Sequence, residues 1–309
     1  MLVVTGASGL LGASVLRSAV ELGWETVGLC HQHVIRDPAM PVARVDLTDE
    51  SATRKLLFDL RPGAIVHCAA ATNVDWCEDN PKQTQAINVQ ASAVLAETAA
   101  TLNARFVYVS TDSVFDGKRG DYVETDEPAP LNVYARSKLA GERETLRRNP
   151  SAMLVRVNIY GWNAQNKESL AEWALRRLEE GRDVPGFTDV FFTPILVNDL
   201  VPVLFAMLQH GLAGLYHVAG SERISKFEFA RRVAAAFGFD PARVTPRQVG
   251  DMNLRAARPL DVSLNAEKIG IALRRSMPDV DSGLSEFREL RSRQYPQQLK
   301  SYLGRGRQP

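Results

Sequence analysis

Tyr134, Ala135, Arg136, Ser137 and Lys138 set a phenol and an ammonium four residues apart, which places both on one face of a helix. The pair suits proton transfer. A free phenol titrates near ~10, and a neighbouring ammonium favours the phenolate and draws that value toward neutral pH. Alone, such a spacing also describes an ordinary exposed helix face. Upstream, Phe106 to Ser110 reads as a strand that delivers Ser110, Thr111 and Asp112 at its carboxyl end. A hydroxyl there can hydrogen-bond a carbonyl oxygen and polarise it. Asp112 reads equally as a second acid or as the cap of the following turn.

A second chemical signal opens the chain. Leu2 to Thr5 reads as a strand, followed by Gly6-Ala7-Ser8-Gly9-Leu10-Leu11-Gly12 and a helix start. Gly6 permits the tight turn, Gly9 lets a pyrophosphate approach the backbone, and Gly12 packs helix on strand. The helix N-terminus offers free N–H groups and a favourable dipole to phosphate. We therefore expect dinucleotide binding by Gly6, Ser8, Gly9, Leu10, Leu11 and Gly12. Lys138 would then also hydrogen-bond the nicotinamide ribose. NAD-selective sites carry an acidic residue at the end of the second strand, whereas this chain reads Leu29-Cys30-His31-Gln32-His33. His31, with Arg36 farther off, suits a 2′-phosphate, so NADP(H) is favoured and NAD(H) stays open.

These groups need a scaffold. Strands are expected at Leu2–Thr5, Glu25–Cys30, Val42–Val45, Ala64–Cys68, Arg105–Val109 and Ala152–Val157. Between them fall helices at Leu10–Leu22, Asp49–Leu60, Lys82–Leu102 and residues 132–148. Apolar strands alternating with amphipathic helices predict an α/β doubly wound parallel sheet of the Rossmann type, with ligands at the carboxyl ends of the strands. Further helices are expected at 167–180, 198–209, 225–237 and 283–303, with a strand near 215–218. This divides the chain into a dinucleotide-binding domain over 1–160, to which later segments return, and a smaller mixed α/β substrate domain over 161–309. The polar tail Gly304–Pro309 is expected to fray.

Composition excludes several classes. In 309 residues the formal net charge is +1, which gives no electrostatic reason to expect nucleic acid. No apolar run reaches the ~20 residues of a membrane helix, and the N-terminus does not read as a signal peptide. Cys30, Cys68 and Cys77 are few, odd in number and without Cys-x-x-Cys spacing, which fits reduced thiols in a cytoplasmic protein. No metal site is expected. Trp76, Trp162 and Trp173 are expected in the core or at a domain interface, with Trp162 near enough to the substrate side to stack on a base or sugar.

With these residues in place, the chain resembles the extended short-chain dehydrogenase/reductase superfamily, and within it the dTDP-4-dehydrorhamnose reductase family, from Leu2 to about Leu264. Ser110-Thr111-Asp112-Ser113-Val114-Phe115-Asp116-Gly117 matches the family's STDxVFDG signature. Pro130 to Tyr134 through Lys138 to Gly141-Glu142 matches its PLNxYxxxKxxGE stretch. His67 to Ala71 with Val74, Asp75 and Glu78, then Asn88, and finally Arg258-Pro259 with Leu264, are similar to its other segments. The resemblance implies that Thr111 holds a keto oxygen, Tyr134 gives the proton, and Lys138 tunes Tyr134 and binds ribose. It also implies that Ala69, Ala70 and Ala71 pack beside the cofactor, that Asp46 and Leu47 lie near the adenine, and that Asp112, Asn158 and Arg258 face the substrate. The implied reaction is hydride transfer from nicotinamide to the 4-keto carbon of a nucleotide-linked deoxysugar. A homodimer stays open.

Two departures bear on the substrate. Arg156-Val157-Asn158-Ile159-Tyr160-Gly161 stands where the family has a tryptophan, so the sugar need not be the same. Ser113 replaces a tyrosine common inside the signature; sugar-nucleotide dehydratases carry an acid there, which argues against dehydration. Two other readings are kept: an NAD-dependent sugar-nucleotide epimerase, and a non-catalytic NADP-binding regulatory subunit resembling that of methionine adenosyltransferase. Arg255 and Arg258 read equally as a diphosphate clamp or as surface charge pairs.

Overall fold

The computed structural model describes residues 1–252 and 255–303. The tail Gly304–Pro309 lies outside them. In chain order the first half comprises β1 (Leu2–Thr5), α1 (Leu10–Glu21), β2 (Thr26–Cys30), β3 (Val42–Arg44), α2 (Glu50–Leu60), β4 (Ala64–His67), α3 (Val74–Asp79), α4 (Pro81–Gln85), α5 (Ala91–Thr101), β5 (Arg105–Thr111), α6 (Val133–Arg148) and β6 (Met153–Val157). The second half comprises β7 (Ile159–Tyr160), α7 (Leu170–Glu179), β8 (Val184–Phe187), β9 (Phe191–Phe192), β10 (Ile195–Leu196), α8 (Val197–His210), β11 (Gly214–His217), β12 (Ile224–Ser225), α9 (Lys226–Ala236), β13 (Val244–Arg247), α10 (Glu267–Leu273), α11 (Val280–Ser292) and α12 (Tyr295–Tyr302).

Seven strands form one sheet in the order β11-β6-β5-β4-β1-β2-β3, and every pairing in it is parallel. β1, with all four residues buried, has β2 on one side and β4 on the other. The strand order reverses there, which is the switch point where such sheets bind ligands. Both faces are covered, as the unbroken apolar strands require. One hydrophobic cluster holds Leu2, Val4, Val107 and Val155 with Leu16 of α1 and Leu204 of α8; the other holds Val3, Ile65, Phe106 and Leu154 with Leu57 and Leu95. Although β11 comes late in the chain, it returns to the edge of this sheet beside β6. Among the described residues no helix is long and apolar enough to cross a membrane.

Several elements depart from expectation. The helix expected over 82–102 is interrupted by a π-helical turn at Ala86–Gln90, which swings Asn88 inward; such bulges cluster where a helix must aim a side chain. The helix expected over 283–303 is two helices, split at Gln294, whose φ of 59° ends one run before Pro296 opens the next. The short strands β7 to β10, β12 and β13 and the helices α3 and α10 were not anticipated; runs of two residues carry no periodicity to read. β10 pairs with β7, β12 with β9 and β13 with β8, and α9 packs on β8 and β13.

Candidate functional site

The glycine turn sits directly at the switch point. Gly6 has φ of 62°, and a Cβ there would come within 2.7 Å of the Ala69 nitrogen at the end of β4. At Gly12 a Cβ would come within 2.1 Å of the Gly6 carbonyl oxygen, so α1 rests on the turn with no room for a side chain. Gly9 is the N-cap of α1, and a Cβ there would meet only the Gly6 oxygen, at 3.3 Å. Its outer side is therefore open, as close approach of a phosphate group demands. Leu11 is buried in the core and Leu10 packs against it. Ser8 is buried, and the Gln165 amide donates to its Oγ at 3.3 Å. Lys167 reaches Thr72 from the same 163–169 segment. That segment arches over the turn, an arrangement no local motif announces.

The end expected to take adenosine is plainer. Asp46 is tied down by the Thr48 N–H at 2.9 Å and its hydroxyl at 2.7 Å, bonds that hold its carboxyl below the usual range. His31 lies at the surface with Nε2 3.7 Å from Asp46 Oδ2. Arg36 is exposed and donates its backbone N–H to the Tyr302 carbonyl. Leu47 packs on the second core cluster. Ala69, Ala70 and Ala71 are half-buried beside the turn. Their backbone is pinned from two sides: Ala69 N–H donates to Thr5 Oγ at 3.2 Å and Ala71 N–H to Asn88 Oδ1 at 2.8 Å. Thr5 in turn meets His67 Nδ1 at 2.6 Å, and His67 Nε2 meets Ser92 Oγ at 2.9 Å. Burial pushes His67 down to about 3, so it serves there as a neutral imidazole.

The candidate proton-transfer residues meet at the carboxyl end of β5. Asn132 caps α6 by accepting from the Ala135 N–H at 2.8 Å, and its amide donates to the Ala257 carbonyl at 3.0 Å. Tyr134 and Lys138 follow on the inward face. The Thr111 hydroxyl lies near enough to the Tyr134 phenol to favour its ionised form. Lys138 is buried; its Nζ donates to the Val109 carbonyl at 2.8 Å and lies 4.0 Å from the Tyr108 ring centroid. Asn88 links this helix to the cradle, donating to Ala71 O at 3.0 Å and Ser137 Oγ at 2.9 Å.

The electrostatics differ from the expectation that Lys138 draws the phenol toward neutral pH. Burial dominates and raises Tyr134 to about 12, with the Thr111 hydroxyl opposing and the Asp112 charge adding to the rise. Burial acts on Lys138 in the opposite sense and lowers it to about 7. Asp112 is not the cap of its turn; the Thr111 side chain fills that role by accepting from the Ser113 N–H. Instead Asp112 is buried and accepts from Thr111 Oγ at 3.1 Å, Ser113 Oγ at 3.2 Å and Asn158 Nδ2 at 2.6 Å. Burial raises its carboxyl, opposed by those three bonds and by Lys226.

Some candidates fall elsewhere. Arg258 Nη2 pairs with Asp75 Oδ1 at 3.1 Å, and Arg255 pairs with Asp79, so both guanidinia bind carboxylates of α3. Trp162 is buried, stacks on Phe287 at 4.0 Å and donates its indole N–H to the Phe287 carbonyl, which leaves it in the core and away from any base. Trp76 is 39 % exposed, contrary to a core placement. Lys226 was missed: it opens α9 and faces both Asp112 and Arg258. Its only sequence signal is a serine N-cap followed by a helix, common to many helices. A buried pair braces the whole corner, with Arg156 Nη2 2.7 Å from Glu142 Oε2 and Glu142 Oε1 accepting from Ser110 Oγ at 2.5 Å.

Residues 1–291 match the RmlD substrate binding domain family. The chain is 33 % identical over 288 residues to the probable low-salt glycan biosynthesis reductase Agl14 of Haloferax volcanii, covering 91 % of this chain and 95 % of that one. To the mouse methionine adenosyltransferase 2 subunit beta it is 32 % identical over 275 residues, covering 86 % and 80 %. In fold it is similar to the dTDP-4-dehydrorhamnose reductase of Bacillus anthracis in complex with NADP, with TM-score 0.84, 26 % identity and coverage of 93 % and 98 %. A hypothetical dTDP-4-dehydrorhamnose reductase of Sulfolobus tokodaii is similar too, with TM-score 0.80, 30 % identity and coverage of 91 % and 98 %.

Proposed function

The chain belongs to the RmlD substrate binding domain family, and from that premise we propose that it is an NADP(H)-dependent reductase of a nucleotide-linked 4-keto-6-deoxysugar. The observation that carries this reading is the meeting of Thr111, Tyr134 and Lys138 at the carboxyl end of β5, two strands across the sheet from β1 and its glycine turn. NADPH supplies a hydride to the keto carbon when bound. Gly6, Ser8, Gly9, Leu10, Leu11 and Gly12 form its phosphate cradle, where side chains at Gly6 and Gly12 would collide with backbone. Ala69, Ala70 and Ala71 flank it, and His31, Asp46 and Leu47 take the adenosine end. Lys138, whose Nζ donates to Val109 O, would also bind a ribose hydroxyl.

In this mechanism the keto oxygen sits between the Thr111 and Tyr134 hydroxyls. Thr111 polarises the carbonyl, and Tyr134 gives its proton to the oxygen as the hydride arrives. A phenol raised to about 12 is fully protonated at neutral pH, as an acid must be, and an ammonium near 7 has a proton to return. Asp112, Asn158 and Arg258 would line the substrate side, Arg258 only by exchanging its Asp75 partner for the substrate. Segments after about residue 160, β11 and α8 excepted, supply the substrate lobe.

Mixing the protein with NADPH and a panel of nucleotide-linked 4-keto-6-deoxysugars tests this. Loss of nicotinamide absorbance that collapses in Tyr134→Phe supports it. Isolation of the protein with a stoichiometric, unconsumed NAD favours the epimerase instead. The match to methionine adenosyltransferase 2 subunit beta over most of the chain supports a second reading, a regulatory binding subunit. In that case Tyr134→Phe leaves partner binding unchanged and no sugar is turned over.

A further inference from the structure

The Thr111 hydroxyl carries one proton and three neighbours compete for its bonds. Its Oγ accepts from the Ser113 N–H at 3.2 Å, donates to Asp112 Oδ1 at 3.1 Å, and lies near the Tyr134 phenol. While Asp112 is ionised it accepts only, so it claims that single proton. Thr111 then has none to offer to an oxygen between itself and Tyr134. A protonated Asp112 reverses the bond: its own O–H donates to Thr111 Oγ, and the threonine proton is free to turn toward the substrate.

We propose that Asp112 is a positioning residue that must carry a proton for Thr111 to donate to the keto oxygen. This rests on the reductase reading and assigns Asp112 a task distinct from contact with the sugar. The groups that face Asp112 are its neighbours Thr111 and Ser113, Asn158 beyond β6, Tyr134 on α6 and Lys226 on α9. Arg258 faces Lys226 in turn. Only Lys226 and Tyr134 among them titrate. Burial favours the protonated carboxyl, and the Lys226 ammonium favours the ionised one. Lys226 is the first residue of α9, from the second half of the chain, so the two lobes meet electrostatically at this carboxyl. No proton is consumed in the switch itself. The proton on Asp112 stays there through turnover while Tyr134 supplies the one transferred.

Two readouts test this, one of them independent of turnover. Infrared difference spectroscopy follows the carboxylic-acid C=O band that disappears in Asp112→Asn. The proposal expects that band to persist across the pH range of activity. A band absent throughout that range overturns it, whether or not any tested sugar is reduced. In the kinetic arm, kcat/KM of the wild type should fall about tenfold per pH unit once Asp112 ionises. In Asp112→Asn, whose amide N–H can donate permanently to Thr111, that limb should flatten. Should that variant misfold, Lys226→Met removes the facing charge and should move both the limb and the infrared titration to higher pH. A limb unchanged in both variants belongs to Lys138, which also titrates nearby, and contradicts the proposal. An inactive wild type on every sugar counts against the reductase reading alone, since the infrared titration and its shift in Lys226→Met still decide the role of Asp112.

Discussion

The two ends of the cleft are built by opposite means. The cradle after β1 is backbone held by sterics, with Gly6 and Gly12 forced by contacts of 2.7 and 2.1 Å. The corner after β5 is side chain held by charge and hydrogen bonds, Thr111 with Asp112, Lys138 with the Val109 carbonyl, and Glu142 with Arg156 and Ser110. Substitutions in the first should act through shape and be indifferent to pH. Those in the second should act through protonation and unpaired charge. The comparison would fail if both ends responded alike.

The largest stability effect is expected at Glu142. Its carboxylate is buried, binds Arg156 through both oxygens and accepts from Ser110. Glu142→Ala strands a buried guanidinium, and removing one partner of such a pair costs about 3–5 kcal/mol. Urea unfolding measures it directly. A smaller loss would mean that water reaches Arg156 and that the corner is not held by charge.

Gly12→Ala probes the cradle. Its Cβ would fall 2.1 Å from the Gly6 oxygen, and overpacking of this kind costs about 1–3 kcal/mol. The turn must shift, so NADPH affinity should fall at least tenfold at every pH, read by fluorescence titration. A pH-dependent loss would break the division drawn above.

Acid stability sharpens it from the other side. His67 is pushed down to about 3 and His217, chiefly by burial and then by Arg156, to about 4. In the unfolded chain both titrate near ~6.5, so between about pH 6.5 and 4 the unfolded state binds more protons. Stability is full above 6.5 and falls as pH drops. The midpoint of thermal unfolding should decline over that window, and His217→Gln should make the decline shallower.

Asn88→Ala probes the link between the two ends. It leaves the Ala71 N–H and carbonyl without their side-chain partner, a loss of about 1–3 kcal/mol, and should weaken cofactor binding more than it slows chemistry. Comparing Kd for NADPH with single-turnover rate separates the two.

What could be read from the residues divides along the same line. The cradle and the Tyr134–Lys138 pair were legible because each lies within a few residues of chain, where strand, turn and helix periods fix who meets whom. Thr111 came with its strand. The π turn at Ala86–Gln90 was not legible, since its residues read as continuous helix. Lys226, the segment around Gln165 and the Glu142–Arg156 pair were missed or unplaced for another reason. Each is brought in by tertiary packing across at least fourteen residues, with no local pattern to mark it. The expected lowering of Tyr134 by Lys138 failed because spacing shows which groups share a face and says nothing of how deeply they are buried.

The central claim, that Tyr134 is the proton donor of a reductase, is met most directly by single-turnover hydride transfer. Wild-type protein preloaded with NADPH would be mixed in a stopped-flow with the nucleotide-linked 4-keto-6-deoxysugar, beside Tyr134→Phe with equal NADPH affinity. The account predicts a slowing of about 10²–10⁴, the range of general acid catalysis, with cofactor binding intact. A Tyr134→Phe protein that transfers hydride at the wild-type rate would contradict it.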